Sequence, residues 1–182
     1  MLTDASGRIA ACHQPGAPLG RPLRPLRRMQ PVKIVIVGCG RVGSTLARRM
    51  VEEGHQVSIV DENVSSFGRL GEDFAGQMVV GSGIDEEVLR RAGIEQADCF
   101  ASVTNGDNRN IMAAQIAKEV FRVNRVITRV YDPIRADVYR EMGLETICPT
   151  TISAGLLDEF FTTGHNAAQS GTVVPRPAGA SS

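Results

Sequence analysis

Short apolar runs recur along the chain at 32–37, 56–60, 77–80, 99–103, 125–130 and 145–148. They are mostly continuous in their hydrophobicity rather than alternating, as strands covered on both faces require. Helical periods fill the intervals. Val42, Leu46, Ala47 and Met50 mark one face of a first helix, which Gly54 ends, and Phe67, Leu70 and Phe74 suggest a second. Asp85 reads as the N-cap of a third, with Val88, Leu89 and Ala92 on one face and Gly93 at its end. Met112, Ile116, Ala117 and Val120 mark a fourth, and Pro133 suits the first turn of a fifth. A sixth helix is expected over about 151–162. Strands alternating with helices predict an α/β fold, a Rossmann-like doubly wound sheet of six mainly parallel strands with helices on both faces.

The sixth helix carries more apolar surface than a terminal helix needs. Ile152, Leu156 and Phe160 share a stripe, and Leu157 and Phe161 lie beside it. Contiguous apolar patches of this kind mark interaction surfaces, so the helix is expected to serve in oligomerisation. On either side of the periodic region the pattern fails. Residues 1–30 interleave Pro15, Pro18, Pro22 and Pro25 with Gly and Arg and read as a disordered basic extension. Met29, directly before the first strand, is a candidate translation start; a targeting peptide, a basic arm touching anionic lipid and a functionless tail are the other readings. Residues 164–182 turn to small polar residues and Pro and read as a flexible tail. The domain expected to fold is 31–163.

Composition changes this picture little. The formal net charge is zero, which gives no argument for nucleic acid as a partner. The balance is uneven, because five Arg and one Asp give residues 1–30 a net +4 and leave −4 on the rest. Cys12, Cys39, Cys99 and Cys148 form no Cys-x-x-Cys pair, and reduced thiols of a cytosolic protein are the expectation.

The candidate chemistry lies where the first strand ends. Lys33-Ile-Val-Ile-Val37 runs into Gly38-Cys39-Gly40-Arg41-Val42-Gly43, and Ser58-Ile-Val-Asp61 closes the unit with an acid eighteen residues after Gly43. Gly38 permits the tight turn, Gly40 lets a pyrophosphate approach, and Gly43 lets helix pack on strand. The phosphates would meet the free N–H groups at the helix start. Asp61 can accept both adenosine ribose hydroxyls and repels a 2′-phosphate, and Glu62 adds to that repulsion; capping the segment from Asn63 is its other reading. Arg41 can fold over phosphates, or be a solvated first-turn side chain. Gly81-Ser82-Gly83 after the third strand is placed to approach adenine. Thr104 and Asn105 after the fourth strand either contact the ligand or cap a helix. Asn110 is a candidate to face the crevice, and Arg129 can reach a phosphate or a partner acid. Cys39, at a helix start, is either an activated thiol or a small residue filling a turn, the second being favoured.

No reaction centre accompanies this site. Tyr131 and Tyr139 lack a Lys four residues on, His13, His55 and His165 are scattered, and no metal-ligand cluster or Ser-His-Asp pattern appears. No catalytic residue and no metal are expected. A nucleotide site without a reacting group suggests sensing, with a nicotinamide oxidoreductase or a stand-alone NAD(H) or adenylate sensor as rivals.

From Met29 to Phe161 the chain resembles the RCK (KTN, Trk-N) nucleotide-binding domain of bacterial potassium-transport regulators. The likeness rests on Ile34 to Gly43, Val60-Asp61, Val80-Gly-Ser-Gly-Ile84, Ala92-Gly-Ile94 with Ala97-Asp98, Val103-Thr104 with Asp107-Asn108 and Asn110, and Thr128-Arg-Val130. The resemblance implies a cytoplasmic regulatory subunit that binds NAD(H) or ATP/ADP. It implies assembly through the last helix into dimers and rings, possible pairing with a second RCK-type subunit, and gating of a membrane potassium transporter from its inner face. Ser82 departs from the family pattern, where many members carry Asp, which leaves the adenine contact open. The likeness covers the first domain of regulators that usually continue into a second, ligand-sensing one.

Overall fold

The computed structural model describes residues 30–163. The expected basic extension and the expected tail therefore lie outside the described residues. Six strands form one sheet: β1 Lys33–Val37, β2 Gln56–Asp61, β3 Gln77–Val80, β4 Cys99–Ser102, β5 Arg125–Arg129 and β6 Glu145–Ile147. Their order is β3-β2-β1-β4-β5-β6, and every pairing is parallel. The order reverses between β1 and β4, so the sheet's switch point lies at the carboxyl end of β1, where doubly wound folds bind ligands.

The central strand shows why the sheet is covered on both faces. Ile34 and Ile36 enter one core with Val57 and Ile59 of β2, beneath α1 Arg41–Glu52. Val35 and Val37 enter the other core, with Val60 and Phe100. That core is covered by α2 Glu86–Arg91, α3 Asp107–Gln115 and α4 Pro133–Glu141. Successive side chains of one strand thus feed two layers, which is why its hydrophobicity does not alternate. Asp85 and Asp132 cap α2 and α4 through their side chains, and Pro133 opens α4.

Two helical expectations need correction. The second is a 3₁₀ stretch, Val64–Leu70, that does not reach Phe74. Two serines and Gly68 weaken the helix there, and Gly71, at φ 80°, ends it. The fourth helix is turned from its expected phase. Its buried residues are Asn110, Ile111, Ala113, Ala114 and Ala117, while Met112 and Val120 are exposed. Small alanines let α3 sit close on the sheet, and the π-helical turn Ile116–Val120 shifts the face.

The α1 side of the sheet is bare toward β6. Ile127 pairs in register with Ala101, which pairs with Ile36, so Ile127 points to the α1 side, as does Ile147 opposite Arg129. Both are exposed. From β6 the chain enters α5 Pro149–Thr163, which has no buried residue. Ile152, Leu157, Phe160 and Phe161 are exposed along it, and Leu156 is half-buried.

Candidate functional site

A cleft of about 590 Å³ opens at the carboxyl ends of the strands. Its floor is the turn that leaves β1. Gly38 has φ 103°, and a Cβ there would come within 2.9 Å of the Thr104 backbone nitrogen. Its N–H donates to the Val60 carbonyl at 2.7 Å. At Gly43 a Cβ would fall 1.8 Å from the Gly38 carbonyl oxygen, so only glycine lets α1 start this close to the strand. Gly40 is the N-cap of α1 and has open space where a Cβ would be. The first turn of α1 contains no acid, which leaves its positive end available to an anion.

Asp61 is held over this floor by backbone. Its Oδ2 accepts the Cys39 N–H at 2.7 Å and its Oδ1 accepts the Asn63 N–H at 2.8 Å. Two donors on different segments fix the plane of the carboxylate, and each oxygen retains acceptor capacity. The capping reading of Asp61 is thus partly realised in its bond to Asn63. Asn63 itself caps the 3₁₀ stretch through Ser65.

Twelve of the sequence candidates meet in the cleft. Gly38, Gly40, Arg41 and Val42 form the loop end, Asp61 and Glu62 one wall, and Gly81, Ser82 and Gly83 the side beyond β2. Thr104, Asn105 and Arg129 form the opposite wall. Arg41 is exposed and has no ion-pair partner among the described residues.

Three candidates lie elsewhere. Gly43 acts beneath the loop. Cys39 is fully buried, with its N–H taken by Asp61 and its thiol directed to the Ser66 carbonyl at 3.3 Å. Burial, and then the charge of Asp61, push the Cys39 thiol up to about 11, so it is a filler of the turn and no activated nucleophile. Asn110, expected to face the crevice, is instead fully buried with its amide bonds all used. Oδ1 accepts from the N–H and hydroxyl of Thr104 at 2.8 and 2.7 Å, and Nδ2 donates to the carbonyls of Thr104 and Arg129, each at 2.9 Å. It is a clamp joining the ends of β4 and β5. Arg129 Nη2 closes the same wall by donating to the carbonyls of Val103 and Thr104, and its guanidinium stacks on Tyr131 at 4.7 Å.

Sequence reasoning missed Asn63, Ser66, Arg69, Ile84, Arg109 and Tyr131, which also line the cleft. All lie shortly after a strand's carboxyl end, the one signal that could have found them. No group of His, Cys, Asp and Glu among the described residues could hold a metal ion. The cleft offers a carboxylate for hydroxyls, and a helix start and guanidinium groups for phosphate.

The TrkA-N domain profile matches residues 34–149. "Trk system potassium uptake protein TrkA" of Streptomyces coelicolor is 52% identical over 114 residues, covering 63% of this chain and 51% of the relative. The chain thus spans about half the length of that curated relative. Among solved structures, the Shewanella denitrificans Kef CTD in AMP-bound form aligns with a TM-score of 0.63 at 21% identity, over 76% of this chain and 85% of that one. GsuK bound to ADP aligns with a TM-score of 0.62 at 21% identity, over 74% and 35%. At such identities the two structures speak for the fold alone.

Proposed function

Because the chain belongs to the TrkA-N domain family, we propose that it is the nucleotide-binding part of a regulatory subunit that gates a membrane potassium transporter. The observation that carries this reading is the pairing of Asp61, aimed by two N–H donors, with an acid-free helix start across one cleft. Adenosine ribose would sit on Asp61 and the phosphates on the turn Gly38–Gly43, with Arg41 above them. NAD(H), ATP and ADP all present these two groups. The AMP bound in one structural relative and the ADP bound in another and the potassium uptake system in the name of the Streptomyces relative support the same reading.

The subunit would work by binding rather than by turnover. Two arrangements of an oligomer that differ tenfold in affinity at each site supply about 1.4 kcal/mol per site, and linked sites add. The apolar surface of α5 and the bare strands beside it support assembly with a second copy, as a dimer or a larger ring, or with a second RCK-type subunit. No helix among the described residues is long and apolar enough to cross a membrane. Attachment to the inner face would then come through the transporter.

Titration of the purified chain with NAD, NADH, ATP and ADP side by side tests the site. Potassium flux into vesicles carrying the transporter, with and without the subunit and nucleotide, tests the gate. Flux that changes with nucleotide only when the subunit is present supports the reading. Flux indifferent to the subunit, or steady NADH oxidation with a small carbonyl substrate, overturns it in favour of an enzyme.

A further inference from the structure

One ion pair spans the cleft. Glu62 follows the carboxyl end of β2, and Arg109 lies in the first turn of α3, after β4. Arg109 Nη1 donates to Glu62 Oε2 at 3.3 Å, and Nη2 donates to Asn105 Oδ1 at 2.9 Å. In the sheet β1 lies between β2 and β4, so the pair crosses the carboxyl end of the strand that carries the glycine turn. Both side chains line the cleft and are about half exposed, at 49% for Arg109 and 54% for Glu62.

Four guanidinium groups line this cleft, and they are held differently. Arg129 Nη2 is held by the carbonyls of Val103 and Thr104, and Arg69 donates to the Ser66 carbonyl at 3.5 Å. Arg41 has no partner among the described residues. Arg109 alone of the four is paired with an acid of the cleft wall. An exposed pair of this kind shifts an equilibrium by less than about tenfold. A guanidinium facing a phosphate makes charge-assisted, bidentate bonds that are stronger. A phosphate arriving beside Arg109 would therefore displace Glu62.

We propose that Arg109 is a specificity-determining residue that reads what a nucleotide carries beyond its first two phosphates. The inference rests on the reading of the cleft as a nucleotide site. With ribose on Asp61 and the diphosphate at the start of α1, the rest of the ligand extends toward the loop after β4, where Thr104 abuts Gly38. There a triphosphate presents its terminal phosphate, and a dinucleotide presents a second ribose and its base. Arg109 exchanges Glu62 for the first and gains no anion from the second. Glu62 is the counter-ion that holds Arg109 in place without ligand, and its charge opposes the exchange.

Calorimetric titration of the full chain with ATP and NADH tests this on the wild type, Arg109→Ala, Glu62→Gln and the double variant. Arg109→Ala is expected to weaken ATP roughly tenfold or more while leaving NADH within about threefold. Arg109→Lys, which keeps the charge and loses the fork, falls between. Glu62→Gln is expected to tighten ATP, and to do so only while Arg109 is present. Equal losses for ATP and NADH in Arg109→Ala overturn the proposal, as does a Glu62→Gln gain that persists without Arg109. A wild type that binds no nucleotide overturns the site and this inference together. A wild type that binds ATP as well as Arg109→Ala does overturns the inference alone.

Discussion

Two ends of the same sheet are finished differently. On the α1 side of β1 and β2, Ile34, Ile36, Val57 and Ile59 are buried beneath a helix that the adjoining sequence supplies. On the same side of β5 and β6, Ile127 and Ile147 stay 43% and 40% exposed. The helix that leaves this end, α5, has no fully buried residue. The contrast is one of connection. The chain from β1 to β2 folds back over the strands it joins, whereas α5 leaves the last strand without returning over it. The first region is complete within the chain, and the second presents apolar surface that soluble monomers keep small. The glycine turn and Asp61 sit on the finished part, and the exposed apolar surface on the unfinished one.

The largest expected effect comes from breaking the finished part at its tightest point. Gly43→Ala sets a methyl 1.8 Å from the Gly38 carbonyl oxygen, and no flexible side chain is there to give way. The turn or the helix must move, which places the cost at the upper end of the overpacking range, about 3 kcal/mol. Urea unfolding is the measurement. A variant as stable as the wild type would show that the close packing of α1 on β1 is misdescribed.

A smaller change should separate the unfinished end from the fold. Leu157→Asp with Phe160→Asp places charges on α5 at exposed positions. Each large apolar side chain buried against a partner is worth about 1.5–3 kcal/mol. The pair is expected to abolish association while the urea midpoint of the monomer hardly moves. Light scattering that finds a stable wild-type monomer at micromolar concentration would remove the contrast altogether. So would a double variant that keeps its oligomeric state.

Next in size is the loss of one ligand contact. Asp61→Ala removes a carboxylate whose hydrogen bonds to ribose hydroxyls, under the proposed reading of the cleft, would be worth roughly 1.5–3 kcal/mol each. Affinity for NADH and ATP is expected to fall at least about tenfold, and NADPH should bind worse than NADH in the wild type. Unchanged affinity in calorimetry would move the ribose elsewhere in the cleft.

These residues also mark what the sequence made legible. The turn Gly38–Gly43 and Asp61 were readable because each acts through local geometry at fixed spacing on one βαβ unit. The cleft's other members come from contacts distant in sequence. Arg109 meets Glu62 across 47 residues, and no local pattern announces that pairing. Asn110 misled because a polar residue near a strand's end suits a crevice and a buried clamp equally. Only its four bonds, made to two strand ends, decide between them. The phase of α3 was misread because Met112 and Val120 are more hydrophobic than the alanines that pack. Close approach to the sheet selected small residues over greasy ones. The apolar stripe of α5 was legible, since nothing in the fold competes for it.

The smallest effect contrasts two thiols, one in each region. Burial and then the Asp61 charge raise the Cys39 thiol to about 11. At Cys148, where β6 meets α5, burial also raises the thiol, but hydrogen bonds from Thr151 and Thr150 outweigh it and the balance is downward. Because the thiolate is the reactive form, iodoacetamide at mildly alkaline pH should label Cys148 ahead of Cys39 in the native protein, with peptide mass spectrometry reading the order. The sign for stability follows for Cys39. Its folded form holds the proton to higher pH than the unfolded chain does, so from about 9 toward 11 the unfolded chain binds fewer protons and stability falls as pH rises. Replacing Cys39 by Ser should flatten that loss, and the same change at Cys148 should not. If both thiols label at one rate, the turn around Cys39 opens as readily as the root of α5, and the two regions are less different than their packing makes them.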